Sequence, residues 1–128
     1  MTGKTDRELL ELAAKACSYE LDWGEVYKIG NEEFDCSDMP YVKSNSPDEA
    51  PYYWNPLTDD GDALRLAVKL NLDFYQGDDN GPAAYAGYFV GTRQKFATAL
   101  HNSDTYAATR RAIVLAAAAV GKVMKEPS

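Results

Sequence analysis

Three aspartates and an arginine are the residues whose spacing first suggests chemistry. Asp59, Asp60 and Asp62 lie within four positions, and Arg65 follows three positions later. Because carboxylate oxygens are preferred ligands of Mg²⁺ and Ca²⁺, one hypothesis is a metal-dependent or small-ligand-dependent enzyme with its site here. The segment lacks the further ligands of an EF-hand loop and the glutamate at its twelfth position. The alternative, which we favour, is that these acids start a helix and complement its dipole.

Nucleophilic catalysis would need the single histidine or one of the two cysteines. His101 falls between a predicted strand and a helix cap, where an exposed or capping role is usual. Cys17 and Cys36 form no CxxC motif and show no neighbouring sign of thiolate activation. No GxxxxGK[ST] phosphate loop occurs. The sequence therefore predicts no catalytic residue, no metal ligand and no cofactor, and it favours a binding protein over an enzyme.

Three helices are predicted to position these residues. Thr5 to Glu8 fits a capping box, and apolar residues then recur at helical spacing, which predicts a helix over about 6–17. A second helix is predicted over about 59–71, and a third over about 105–124 with its N-cap among residues 102–104. Leu64 and Val68 widen the apolar face of the second helix, so we expect that helix at the centre of the domain.

Short strands separated by turn-forming residues fill the rest of the chain. They are predicted at 26–29 and 33–36 around a Gly30-Asn31 turn, at 39–43, at 73–75, and at 84–90 and 93–100 around a Gly91-Thr92 turn. Polar composition predicts loops at 44–51 and 77–82. Tight turns make neighbouring strands antiparallel. A chain of 128 residues with this order of elements is predicted to form one α+β domain over residues 1–128, with helices layered on a mainly antiparallel sheet.

The charge balance restricts the kinds of partner. The chain has 13 basic and 20 acidic side chains, a net charge of -7, whereas nucleic-acid binders normally carry a basic surplus. No apolar run reaches the length of a signal peptide or of a membrane span. We therefore expect a cytosolic protein that binds neither nucleic acid nor membrane directly.

Acidic side chains concentrate between residues 20 and 38, and the chain as a whole has nine tyrosines, more than one small core needs. Because aromatic residues are favoured anchors in interfaces, one hypothesis is an acidic, tyrosine-rich face that binds a basic protein and imitates nucleic-acid phosphates. The other is a solvated acidic sheet edge that discourages aggregation. A homo-oligomer is a third alternative. The candidate partner-binding residues are Glu25, Tyr27, Glu32, Glu33, Asp35 and Tyr41.

Three blocks of the chain resemble the small bacteriophage and prophage proteins known as phage ABA sandwich domain proteins. The most specific block is WNPLTDDGDALRLA at 54–67, and the others are TDRELLELAAKA at 5–16 and YAATRRAIVLAAA at 106–118. The resemblance implies a three-layer α/β/α sandwich and a phage-encoded protein acting in the bacterial cytosol, and it brings no catalytic residue. Together with the acidic face, it leads us to expect a phage or prophage accessory protein that binds a host or phage protein. The favoured target is a host defence or nucleic-acid-handling protein, which it would inhibit.

Overall fold

The computed structural model describes residues 5–43, 50–77 and 83–124, which form three helices and three antiparallel sheets. The α+β class predicted from the sequence is confirmed. Residues 44–49 and 78–82 of the two predicted loops lie outside the described residues. The helices are α1 (Asp6–Ala16), α2 (Asp60–Leu70) and α3 (Thr105–Val123). The strands are β1 (Leu21–Trp23), β2 (Val26–Ile29), β3 (Glu32–Asp35), β4 (Pro40–Val42), β5 (Tyr52–Tyr53), β6 (Asp73–Gly77), β7 (Ala83–Val90) and β8 (Arg93–Leu100).

Each helix begins at a residue whose side chain satisfies a free backbone N–H. The side-chain oxygens of Thr5, Asp59 and Asp104 accept hydrogen bonds from the N–H groups three residues further on, at 3.1, 2.8 and 3.0 Å. Helix α2 ends at Asn71, which adopts the left-handed conformation common at helix ends. The observed helix bounds differ from the predicted ones by at most one residue at each end.

The main sheet has the order β6-β7-β8 and is antiparallel throughout. Its inner face carries small residues, because Ala84 pairs with Ala99 and with Gln76 on either side, and Ala86 lies two positions further along β7. The Gln76 side chain donates a hydrogen bond to Thr109 on α3 at 2.7 Å. The alanine face of the sheet is therefore the face that packs against α3.

The outer face of the main sheet carries aromatic side chains. Tyr75 stacks on Tyr85 with ring centroids 5.3 Å apart, and Phe96 meets Tyr75 edge-on at 6.2 Å. Phe89 and Leu100 lie exposed on the same face. The described part of the chain places no helix over this face.

Helix α3 is the central element, since it packs against the main sheet, α1 and α2. Its residues are buried over most of its circumference, and at Gly121 it approaches the backbone of α1. The prediction that α2 occupies the centre is wrong. Helix α2 buries Leu66 and Ala67, but Leu64 is 52% exposed and Val68 is 72% exposed. Helix α2 is thus an amphipathic helix at the surface.

None of the helices in the described ranges is long and apolar enough to cross a lipid bilayer.

Candidate protein-binding surface

The strands β2 and β3 form a separate two-stranded hairpin, and all eight of their residues are exposed. The turn between them uses Gly30 with φ of +64°, a left-handed conformation that glycine adopts without strain. The hairpin shares no sheet with the other strands of the described ranges. An isolated two-stranded hairpin is only marginally stable in water. Because all eight residues are exposed, this hairpin presents both of its faces to solvent or to a partner.

One face of the hairpin is apolar. Tyr27 lies opposite Phe34, and their rings stack with centroids 5.6 Å apart. Ile29 follows Tyr27 by two positions, so it shares this face, and it is 64% exposed. Exposed apolar side chains that cluster in this way are typical of interaction sites. The sequence reasoning did not name Ile29 and Phe34 as binding residues. The available signal was the alternation of apolar and charged residues, because Lys28 separates Tyr27 from Ile29 and Glu33 precedes Phe34.

Acidic side chains lie on both faces of the hairpin. Glu32 lies opposite Ile29, and Glu33 lies opposite Lys28. Within the described ranges, neither glutamate belongs to an ion pair. Asp35 accepts hydrogen bonds from the backbone N–H and the hydroxyl of Ser37, and these bonds lower the pKa of Asp35 below its usual value. The hairpin therefore carries a fixed negative charge at neutral pH.

The two other predicted residues lie outside the strands of the hairpin. Glu25 precedes β2, and its carbonyl oxygen accepts a hydrogen bond from the N–H of Cys36. Tyr41 lies on β4 and meets Tyr53 edge-on at 6.0 Å. A hydrogen bond with the Cys36 thiol, followed by weaker effects that include nearby Tyr41, raises the pKa of Tyr27.

Five of the six predicted partner-binding residues lie on the hairpin or directly before it, whereas Tyr41 lies on β4 in another sheet. Four of them, Tyr27, Glu32, Glu33 and Asp35, lie on the hairpin itself. We refer to β2, β3 and Glu25 together as the hairpin surface.

The three aspartates near the start of α2 point to different partners. Asp59 caps the helix, and Asp60 pairs with Arg110 of α3 at 2.6 Å. Asp62, which is only 7% exposed, accepts hydrogen bonds from the N–H of Asn55 at 2.9 Å and from Arg65 at 2.8 Å. The interpretation of these acids as structural groups at the start of a helix is confirmed for Asp59.

No group of three or more histidine, cysteine or acidic side chains in residues 5–43, 50–77 and 83–124 could hold a metal ion. The hydrogen bond from Arg65 to Asp62 raises the pKa of the guanidinium group. Arg65 also lies 3.8 Å from Asp59, so it is held between two carboxylates. In this arrangement the Arg65 side chain pairs with the acidic residues of the first turn of α2.

The histidine and the cysteines occupy separate places. The Nε2 atom of His101 lies 2.6 Å from the side-chain oxygen of Gln76, and both cysteines are free. Burial raises the pKa of the Cys17 thiol to about 11, so this thiol is protonated and unreactive at neutral pH. These residues give no arrangement for nucleophilic catalysis in the part of the chain that is described.

No protein-family model matches this chain, and no curated protein or solved structure gives a match. The resemblance to phage ABA sandwich domain proteins therefore stays a prediction from three sequence blocks.

Proposed function

We propose that this protein acts by binding another protein through the hairpin surface. The observation that supports the proposal is that all eight residues of β2 and β3 are exposed and that carboxylates lie beside their apolar side chains. Aromatic side chains in such a position are frequent anchors of protein interfaces.

The charge of the hairpin surface favours a basic partner. Glu25, Glu32 and Glu33 take part in no ion pair among the described residues, whereas Glu20 and Asp22 nearby are paired with Lys43 at 3.7 and 3.4 Å. Unpaired carboxylates around an apolar centre steer a basic surface toward it and raise the association rate. The carboxylates would then occupy positions that nucleic-acid phosphates take on such a partner.

The biological setting that we propose is a phage or prophage accessory function in the bacterial cytosol. The proposal combines the three resembling sequence blocks with the acidic hairpin surface. The partner would be a host or phage protein. A host defence or nucleic-acid-handling protein suits the charge, because such proteins carry basic surfaces for their own ligands.

The experiment is capture of proteins from a bacterial host lysate on the immobilised protein, followed by affinity measurement with the captured protein after purification. Ile29→Ser and the double variant Glu32→Lys/Glu33→Lys are compared with the original chain. We expect the double variant to weaken binding by at least about tenfold, and more strongly at low salt, because opposed charges are replaced by like charges. We expect Ile29→Ser to weaken binding with little dependence on salt.

The matched control is Glu20→Lys/Asp73→Lys, which changes the net charge equally but leaves the hairpin unaltered. Both residues of the control are exposed. Equal losses of affinity in the control and in the hairpin variants would show that only total charge matters, and the proposal would then be wrong. Unchanged binding in both hairpin variants would also contradict it.

A further inference from the structure

A cleft of about 450 Å³ lies between α2, the first turns of α3 and strand β6. Its walls are mainly apolar and include Leu64, Phe74 and Tyr106, and its polar groups include Gln76 and Arg110. None of its lining residues belongs to the hairpin surface. Binding sites for small molecules are typically apolar clefts of about 300–1,000 Å³ with a few placed polar groups. The cleft has the size and composition of such a site.

The hydrogen bonds around Gln76 fix the orientation of its amide. Thr109 donates its hydroxyl hydrogen to the carbonyl oxygen of Thr105 at 2.8 Å, so its oxygen is left to accept. The amide nitrogen of Gln76 supplies that donor at 2.7 Å. The amide oxygen of Gln76 then faces Nε2 of His101 at 2.6 Å, and this nitrogen must be the donor. In this arrangement the amide nitrogen of Gln76 faces Thr109 and its oxygen faces His101.

This network leaves half of the Gln76 amide unused. The amide group offers two N–H donors and an oxygen that accepts twice. Within the described residues, Thr109 takes one donor position and His101 takes one acceptor position. One N–H and one lone pair therefore remain on a side chain that lines the cleft. A ligand with an acceptor beside a donor satisfies both positions at once, as glutamine does when it reads an adenine edge.

The two charged side chains among the described lining residues, Arg110 and Asp60, pair with each other. Arg110 pairs with Asp60 at 2.6 Å and donates from Nε to the carbonyl oxygen of Leu57 at 2.9 Å. An ionised ligand would enter apolar walls without a free counter-charge, which is costly. Phe74 and Tyr106 line the cleft and are exposed, so their rings are accessible to an aromatic ligand.

We propose that this cleft binds an uncharged planar aromatic molecule with a carboxamide-type edge, such as a nucleobase or an aromatic amide. Gln76 recognises the donor and acceptor of that edge, and the apolar wall accommodates the ring. The site is separate from the hairpin surface, so it would add a small-molecule ligand to a protein that binds another protein.

Benzamide and benzoate are a matched pair of probes, because they share one shape but differ in charge and in the N–H donor. Binding is measured by titration while the NMR signals of the Gln76 side-chain amide and the Ile113 methyl groups are followed, with uracil as the nucleobase probe. We expect benzamide and uracil to shift these signals and benzoate to bind at least about tenfold more weakly, since it loses a hydrogen bond and buries a charge. Equal binding of benzamide and benzoate, or no shift with benzamide and uracil, would overturn the proposal.

Two variants test the location. Leu64→Trp fills the mouth of the cleft, and Val68→Trp places the same side chain one helical turn away, outside the lining. Both positions are exposed, so neither change disturbs the core. We expect Leu64→Trp to weaken benzamide binding at least about tenfold and Val68→Trp to leave it unchanged. Gln76→Met should weaken benzamide binding while narrowing its advantage over benzoate. Full binding in Leu64→Trp would exclude the cleft as the site.

Discussion

The contact between α1 and α3 depends on the absence of a side chain at Gly121. A Cβ atom at this position would overlap the carbonyl oxygen of Leu12 on α1 and lie 2.9 Å from its carbonyl carbon. These atoms belong to the backbone of a packed helix, so they cannot rotate away. Gly121→Ala must therefore push the two helices apart, although the same change in an open helix would stabilise the protein.

The magnitude follows from two opposing effects. Alanine in place of glycine in a helix interior gains about 1 kcal/mol from helix propensity. Overpacking a tightly packed core costs about 1–3 kcal/mol, and the cost rises when backbone must move. Because α1 and α3 touch along much of their length, we expect the steric effect to exceed the gain. Subtracting the propensity gain from the steric cost leaves a net loss of about 0–2 kcal/mol. Because backbone must move here, we expect Gly121→Ala to lower the free energy of unfolding by about 2 kcal/mol, the upper end of this net range.

The assay is urea unfolding followed by circular dichroism, with Gly61→Ala as the control. A Cβ at Gly61 would meet the ends of the flexible Arg65 and Asp59 side chains at 3.1 and 3.2 Å, which can move. Gly61→Ala should therefore be neutral or stabilising by up to about 1 kcal/mol. If Gly121→Ala proves as stable as the original chain, or if the two variants behave alike, the close approach of α1 and α3 is refuted.

Three further predictions concern single side chains. Because burial raises the pKa of Cys17 to about 11, only about one thiol in a thousand is ionised at pH 8, and mass spectrometry should find Cys36 alkylated first by iodoacetamide. Asp62→Ala leaves the N–H of Asn55 without its acceptor and should destabilise the fold by about 1–3 kcal/mol in urea unfolding. Arg110→Ala removes the bond from α3 to the segment before α2 and should lower the melting temperature by several degrees, whereas loss of a wholly exposed ion pair would not.

The helices and the long hairpin were predictable because their signals are local. Asp59 and Asp104 each cap the helix that begins at the next residue, and Gly91 turns the chain between two strands. The position of α2 was not predictable from the same evidence. Leu64 and Leu66 are the same residue type two positions apart, yet Leu64 is exposed and Leu66 is buried. Which apolar face is covered depends on α3, an element far along the chain.

The two candidate sites differ in the same way. The hairpin surface comes from one short segment, so its acids were found from the sequence, although Ile29 was missed. The cleft depends on Gln76, which bonds to Thr109 and His101, 33 and 25 positions away. No local pattern marks that glutamine. A site assembled by contacts between distant segments therefore becomes visible only when the fold is known.

The small side chains of the core also explain why so many aromatic residues are at the surface. Between α3 and the main sheet, Ala84, Ala86, Ala112 and Ala116 are fully buried. Alanine on both sides brings helix and sheet close together, which leaves little room there for large rings. Tyr75, Tyr85, Phe89 and Phe96 lie instead on the outer face of the sheet, so the number of aromatic side chains alone does not mark a binding surface.

What distinguishes the hairpin surface is the combination of features around its rings. On the outer face of the main sheet, the rings rest on a three-stranded sheet that α3 supports from behind. Tyr27 and Phe34 lie on two strands with no covering layer on either side in the described residues, and on the same face Glu32 lies opposite Ile29 and belongs to no ion pair among those residues. Two strands of this kind gain most from a partner, because the partner would supply both the missing layer and the missing charge. This is the physical reason why we propose the hairpin, and not the larger aromatic face, as the protein-binding surface.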